Sequence, residues 1–158
     1  MQRSDRSLVP DVAFFVALMA TALALGAALA HALELPNKID LSAREYFVVQ
    51  KIYLGWDRLG YLLAVELAGI LALIHLYRGQ RRVLLPVLAA LMFLVAAQVV
   101  FWLFTFPTNR ATSNWTVQPS NWEALRSQWE YSHLGGAAFQ VLVMASLVLA
   151  VLRRQPFS

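Results

Sequence analysis

Cysteine is absent from the sequence of 158 residues, and this absence removes three kinds of chemistry together. The chain can form no disulfide bond, no thiolate metal site and no thiol nucleophile. Any redox reaction must therefore use other side chains as ligands or a bound cofactor. The lack of cysteine leaves the cellular compartment open.

Charged residues are also scarce: they make up 14% of the chain against 59% apolar residues, outside the usual balance of a soluble protein. The apolar residues form four long runs, each near the ~20 residues that a helix needs to cross ~30 Å of hydrocarbon. We therefore predict an all-α polytopic membrane protein, a single domain over residues 1–158 with a bundle of four transmembrane helices. The predicted spans cover about residues 12–35, 59–77, 83–106 and 133–152.

The net charge of +4 comes from basic residues at the ends of the predicted spans rather than in one patch, so no nucleic-acid partner is predicted. The three short segments at one side of the membrane are rich in arginine, which places that side in the cytoplasm. These arginines are Arg3, Arg6, Arg78, Arg81, Arg82, Arg153 and Arg154. We expect an integral protein of the bacterial inner membrane with both termini cytoplasmic and the lipid bilayer as its main partner.

The first span has a second interpretation, because Ala28-Leu29-Ala30 also resembles the cleavage site of a signal peptide. Cleavage there would make His31 the new N-terminus. The apolar run is longer than the ~7–15 residues of a usual signal core, so a retained span is favoured.

The two long connections, about residues 36–58 and 107–133, are predicted to be extracytoplasmic and to contain amphipathic helices. Ser42 and Ser120 are each followed three residues later by glutamate, which fits the capping box that opens a helix. The second of these helices should cover residues 120–129 and continue into the fourth span.

Small side chains recur every four residues in the first two spans, which favours close packing of those two helices as neighbours. The residues are Ala22, Gly26 and Ala30 in the first span and Ala64, Ala68 and Ala72 in the second.

Three tryptophans recur every seven residues, at Trp115, Trp122 and Trp129. Tryptophan is enriched where membrane meets water, so anchoring in an aromatic belt is the favoured interpretation. A platform on which a ring-shaped substrate or cofactor stacks is the alternative.

Ionisable residues recur at one depth, near the outer ends of the predicted spans. His31 and Glu34 lie three residues apart on the first helix, Glu130 and His133 repeat that spacing on the fourth, and Glu66 lies on the second. Such residues cost a few kcal/mol inside a membrane and usually face the bundle interior. We expect these five side chains to converge on one pocket.

Two imidazoles and a carboxylate are suitable ligands for a transition metal with open positions for oxygen or substrate. The candidate metal ligands are thus His31, Glu34, Glu66, Glu130 and His133, and non-haem iron or copper is the candidate metal. Haem and a quinone are the alternative cofactors. The alternative is structural: the terminal residues lie in water at the interface, and Glu66 pairs with a neighbour to hold the bundle together.

The stretch from residue 106 to residue 133 resembles the signature of the anthrone oxygenase-like family of small four-helix membrane proteins. The residues that carry this resemblance are Phe106-Pro107-Thr108-Asn109, Trp115, Pro119, Trp122, Arg126 and Trp129-Glu130-x-x-His133. The resemblance implies oxygen-dependent conversion of a polycyclic anthrone to a quinone, with asparagine, tryptophan and basic residues as active groups. Asn109, Trp115, Trp122, Arg126 and Trp129 match these groups, whereas Gly136 stands where a second arginine is expected.

The leading functional hypothesis is a membrane-embedded oxidoreductase, in its most specific form an oxygenase, acting on a hydrophobic aromatic or quinone-like small molecule. Glu130 or His133 would serve as base or metal ligand, Asn109 and Arg126 would hold a developing oxyanion, and Trp115, Trp122 and Trp129 would contact a cofactor. The alternative is a non-catalytic membrane subunit or small transporter, and an oligomer is compatible with either.

Overall fold

A computed structural model of the chain describes residues 8–154, and these residues form six α-helices. Four of the helices are long: α1 (Val9–Lys38), α3 (Leu59–Leu76), α4 (Arg81–Val100) and α6 (Trp122–Leu152). Two are short and lie in the connections: α2 (Ala43–Val49) and α5 (Phe106–Ala111). Two 3₁₀ turns, Gln50–Tyr53 and Trp56–Arg58, precede α3, and a π-helical turn, Phe101–Thr105, joins α4 to α5.

The chain is an all-α integral membrane protein with four helices long and apolar enough to span a bilayer. These candidate spans are Val9–Lys38, Trp56–Leu76, Arg81–Ala111 and Trp122–Leu152. A helix of 30 residues is about 45 Å long at 1.5 Å per residue, so three of the four extend beyond the ~30 Å of hydrocarbon. The prediction of four helices long and apolar enough to span a membrane is confirmed. These helices run further than the apolar runs at the end of the bundle that carries the long connections.

The four long helices form a bundle in which α6 packs against both α1 and α4. Helix α3 packs against α1 and, over a smaller area, against α4. We call the end with residues 39–58 and 106–121 the loop end, and the opposite end, with the 77–80 turn, the turn end. Arginines 78, 81, 82, 153 and 154 lie at the turn end, whereas Arg3 and Arg6 lie outside the described residues.

The first two spans are neighbours, as predicted, but they meet through a different face from the predicted one. A Cβ atom on Gly69 would lie only 3.0 Å from the Cα of Ala17, so α1 and α3 approach most closely there. The predicted small residues Ala22, Gly26, Ala64, Ala68 and Ala72 are instead exposed on the bundle surface. A helix that is apolar on all sides gives no pattern from which its buried face can be read.

The capping box of α2 is confirmed, and the one predicted for α6 is wrong. The backbone nitrogen of Ser42 donates to Glu45 Oε2 at 3.1 Å, and the backbone nitrogen of Glu45 donates to Ser42 Oγ at 3.4 Å. Helix α6 begins at Trp122, so its N-cap is Asn121, whose side chain makes no capping hydrogen bond. Ser120 therefore lies one residue too early to cap the helix. The predicted continuity of this helix with the fourth span is confirmed.

The connection after α5 contains three consecutive non-glycine residues in the left-handed region, Ser113, Asn114 and Trp115, with φ of 48°, 55° and 63°. Left-handed conformations cost roughly 1–2 kcal/mol per residue, so contacts elsewhere must hold this turn. The hydroxyl of Thr112 accepts a hydrogen bond from the backbone nitrogen of Trp115 at 3.1 Å, and the Trp115 side chain is buried. The turn thus directs Trp115 into the protein rather than toward lipid.

Candidate functional site

Two histidines meet at the loop end of the bundle, and we call them the imidazole pair. Helix α1 contributes His31 and α6 contributes His133, whose ring centroids lie 4.3 Å apart at an interplanar angle of 41°. The predicted proximity of these two residues is confirmed. Three further rings enclose the pair: Trp129 lies 4.0 Å from His133, while Tyr53 and Trp56 lie 4.4 Å and 5.0 Å from His31.

The hydrogen bonds of the imidazole pair define which nitrogens are available. His133 Nδ1 lies 2.9 Å from the backbone oxygen of Trp129, and because a carbonyl only accepts, Nδ1 must carry the hydrogen. In a neutral ring, Nε2 of His133 then holds the free lone pair. His31 is 7% exposed, and its Nδ1 has no hydrogen-bond partner among the described residues. Such an atom is expected to bind a water molecule or a ligand.

A buried lysine lies beside the imidazole pair and links two of the three glutamates predicted for the site. Lys38 Nζ lies 3.4 Å from Glu34 Oε2 and 3.3 Å from Glu130 Oε1. It donates to the Tyr53 hydroxyl at 2.6 Å, and that hydroxyl donates in turn to Glu34. Tyr46, on α2, donates to Glu130 Oε1 at 2.8 Å. We call these five residues the ammonium network.

The charges of the ammonium network do not balance, because one ammonium group faces two carboxyl groups. Burial raises the pKa of Tyr53 well above its usual value, and its hydrogen bond to Glu34 raises it further. Burial likewise raises the pKa of Tyr46, and the negative charge of Glu130 raises it further. Both phenols therefore stay neutral and act as donors. The network carries a net negative charge unless one of its carboxyl groups binds a proton.

Glu66 does not join the other predicted ligands. It is fully buried deeper in the bundle, where Gln140 Nε2 donates to both of its oxygens at 2.7 and 2.9 Å and the Thr21 hydroxyl donates to one at 2.9 Å. Thr21 lies ten residues before His31, and Gln140 seven residues after His133, so this group is about 10–15 Å nearer the turn end at 1.5 Å per residue. The prediction that all five side chains converge on one pocket is therefore wrong.

The arrangement does not fit the candidate iron or copper ion. No three His, Asp or Glu side chains in residues 8–154 are placed to hold a metal ion. His31 and His133 contact each other through their rings, whereas imidazoles that share a metal direct their in-plane nitrogens at it. The ammonium of Lys38 already lies between Glu34 and Glu130, in the position that a metal ion bound by both carboxylates would occupy.

The residues matched by the family resemblance surround Trp129 and fix its position. Trp129 is 3% exposed and its Nε1 donates to Asn109 Oδ1 at 2.8 Å. Trp115 packs against it edge to face at 5.9 Å. Arg126 Nη1 donates to the backbone oxygen of Leu41 at 2.6 Å, and its guanidinium group stacks on Trp122 at 4.6 Å. Asn109 and Arg126 thus already use hydrogen-bonding groups to hold the protein together, so their predicted oxyanion role is less favoured than a positioning role.

Burial separates the two interpretations of the tryptophans. Trp115 and Trp129 are buried within the protein and Trp122 packs against them, so these three are not lipid anchors. Trp102, which is 56% exposed, has the placement expected of a belt residue. Trp129 therefore contacts the imidazole pair directly and Trp115 packs behind it, and we call these two residues the aromatic wall.

A shallow surface groove of about 250 Å³ is lined in part by Trp56. Its lining is mainly apolar with one cationic side chain: Ala27, Gly55, Trp56, Arg58 and Leu59. Because Trp56 also contacts His31, the groove lies beside the imidazole pair.

Five residues of these two polar groups were not predicted: Thr21, Lys38, Tyr46, Tyr53 and Gln140. Two of them carried a signal in the sequence. Lys38 follows Glu34 by four residues, the spacing of a helical ion pair, and Gln140 follows His133 by seven, which puts it on the same helical face. The two tyrosines lie in a connection whose path the sequence does not indicate.

Comparison with known proteins adds nothing to this site: no family model matches the chain, and no curated protein or solved structure matches it.

Proposed function

We propose that the chain is a membrane-embedded oxidoreductase that acts on a hydrophobic aromatic or quinone-like molecule at the imidazole pair. The observation that carries this proposal is the contact of the buried imidazole of His31 with the partly buried imidazole of His133 among aromatic rings, with His31 Nδ1 lacking a partner among the described residues. Perturbed or unpaired ionisable groups in apolar surroundings are typical of reactive sites. An aromatic enclosure also favours a flat, apolar ligand.

The chemistry that suits these groups is removal of a proton from an activated ring compound. His133 Nε2 would accept the proton from a phenolic or activated ring carbon, and the second imidazole would hydrogen-bond the oxygen of the resulting anion. Such an electron-rich anion can be oxidised by dioxygen, and for an anthrone a ring CH₂ and one O₂ give a ring ketone and one water.

The substrate would enter from lipid rather than from water. The groove beside Trp56 is open at the bundle surface and mainly apolar, and Arg58 would favour a substrate with a polar or anionic substituent. Five arginines at the turn end favour that end, and both termini, as cytoplasmic. On this orientation, in a bacterial inner membrane, the groove opens to the outer leaflet.

The resemblance to anthrone oxygenase-like proteins supports the same class of substrate. Its matched residues include Trp129, which contacts His133, and Asn109, which fixes the indole ring of Trp129. We assign them to positioning the aromatic wall rather than to the chemistry itself.

A second candidate function, a non-catalytic membrane subunit or small transporter, is favoured by one observation. The hydrogen bonds of Glu66 join α1, α3 and α6 at mid-bundle, as expected for a carboxyl group that stabilises helix packing or binds a proton.

Oxygen uptake by the purified protein in detergent tests the proposal, with anthrones and hydroxylated polycyclic aromatics as substrates. The wild-type protein should consume oxygen with at least one of them, and His133→Gln should lower the rate by about 10²–10⁴-fold, the usual contribution of a general base. His75→Gln is the matched control, because His75 is exposed at the turn end. No oxygen uptake with any substrate, or equal rates in the two variants, would overturn the proposal.

A further inference from the structure

The ammonium network runs from the interior of the protein to water. The side chain of Glu130 is 0% exposed and that of Lys38 is 4% exposed, whereas the side chain of Glu34 at the other end is 39% exposed. Tyr53 lies between Lys38 and Glu34 and is bonded to both. Burial thus decreases along the chain of contacts from Glu130 to Glu34.

The two hydrogen bonds that lead from Lys38 through Tyr53 to Glu34 point in one direction. Lys38 donates to the oxygen of Tyr53, and Tyr53 donates its own hydrogen to Glu34. Lys38 can pass a proton to Glu34 either through the Tyr53 hydroxyl or across the direct contact of 3.4 Å with Glu34 Oε2. The route through Tyr53 is favoured, because Nζ lies 2.6 Å from the Tyr53 oxygen, whereas 3.4 Å is longer than a normal hydrogen bond. Tyr46 offers no second exit, since it is fully buried.

We propose that Glu130, Lys38, Tyr53 and Glu34 form a proton path that connects the buried carboxyl group of Glu130 with water at the loop end. In one passage the Lys38 ammonium gives a proton to the Tyr53 oxygen while Tyr53 gives its hydrogen to the Glu34 carboxylate. The neutral amine then takes the proton of the Glu130 carboxyl group. One proton has moved from Glu130 to Glu34, and Lys38 and Tyr53 have returned to their starting forms.

The surroundings of Lys38 suit this role. Apart from the two carboxyl groups, the ammonium faces the rings of Tyr53 at 4.7 Å and Trp129 at 5.2 Å. The imidazoles of His31 and His133 contact the same two rings from the other side. Arg126 is directed elsewhere, toward Tyr46, Trp122 and the backbone of Leu41. Two carboxylates around one ammonium leave an excess negative charge, which favours binding of a proton by one of the carboxyl groups. That proton is the one that the path exchanges.

The use of the path in turnover rests on the proposed function, because removal of substrate protons by the imidazole pair requires their later release. The path itself does not depend on any substrate. Proton exchange at Glu130 can therefore be measured in the full-length protein without one.

The test is a jump in external pH applied to proteoliposomes in which the loop end faces outward. The infrared carboxyl band of Glu130, assigned by its loss in Glu130→Gln, is followed with time. In the wild-type protein the band should respond promptly to external acid and at least about ten times more slowly to acid inside the vesicle. Tyr53→Phe removes the hydroxyl that accepts from Lys38 and donates to Glu34, and it should slow the external response by at least about tenfold.

Two further variants make the result decisive. Glu34→Gln changes a partly exposed position and should also slow the response, even if Tyr53→Phe proves unstable. Tyr61→Phe is the matched control, because Tyr61 is 80% exposed and lies at the loop end of α3. The infrared band of Glu130 in this variant should respond as it does in the wild type. A Glu130 band that does not respond, that responds equally from both sides, or that is unaffected by both network substitutions would overturn the path.

These outcomes are separable from those of the oxygen assay. Normal proton exchange without oxygen uptake would refute the proposed function and leave the path intact. Oxygen uptake with unchanged exchange in the network variants would refute the path alone.

Discussion

Replacement of Lys38 by methionine should be the most destabilising single change at the loop end. Methionine keeps the length of the side chain but removes the ammonium between Glu34 and Glu130, whose contacts with Nζ are 3.4 and 3.3 Å. Removing one partner of a buried ion pair typically costs about 3–5 kcal/mol, because the other charge stays buried without compensation. Glu34 contributes little to this cost, since its partial exposure lets water solvate it. At a pH where Glu130 is ionised in the wild type, we therefore expect a loss of about 3–5 kcal/mol in the free energy of unfolding, most of it from the uncompensated charge of Glu130.

A double substitution distinguishes this explanation from a simple loss of packing. Lys38→Met combined with Glu130→Gln removes both buried charges, and neutral replacement of a whole buried pair is often without cost. The double variant should therefore recover much of the stability lost in the single one. The assay is equilibrium unfolding by SDS in mixed micelles, with Lys51→Met, at an exposed lysine, as the control. A loss below about 1 kcal/mol in Lys38→Met, the range of a surface pair, would refute the reasoning. So would a double variant as unstable as the single one.

Three further substitutions, two of them with a matched control variant, test the packing of the bundle and its helix ends. Gly69→Ala should destabilise by about 1–3 kcal/mol in the same unfolding assay, because its Cβ would lie 3.0 Å from α1. Gly60→Ala, which meets open space, should be neutral or stabilising, and equal effects would contradict the close approach. Ser42→Ala should cost about 1 kcal/mol through loss of the cap, whereas Ser120→Ala should cost nothing measurable. Glu66→Leu should cost about 1–3 kcal/mol by leaving its buried donors unpaired, and an unchanged unfolding curve would contradict that network.

The number and type of the long helices could be predicted from the sequence, because the length of an apolar run is a direct consequence of bilayer thickness. Their ends could not. The first predicted span ends at about residue 35, whereas α1 continues through Pro36 to Lys38. A proline near the last turn removes one hydrogen bond and need not stop the helix. This single extension brings Lys38 to Glu34 and Glu130.

The candidate site was predictable in part for a similar reason. The i, i+3 spacings of His31 with Glu34 and of Glu130 with His133 indicate shared faces, and the structure brings these faces together. Depth alone did not separate Glu66 from them, because its partners depend on how each helix is rotated. That rotation is set by contacts such as Ala17 with Gly69, which the uniformly apolar helices do not reveal in their sequence.

The chain contains only three histidines, so their ring nitrogens can be observed individually in a ¹⁵N spectrum of the detergent-solubilised protein. Addition of a hydrophobic naphthoquinone tests whether the imidazole pair is a ligand site, independently of any reaction. The account predicts that the signals of His31 and His133 shift on addition of the quinone while that of His75 stays in place. A spectrum in which neither His31 nor His133 responds, or in which all three respond alike, would contradict it.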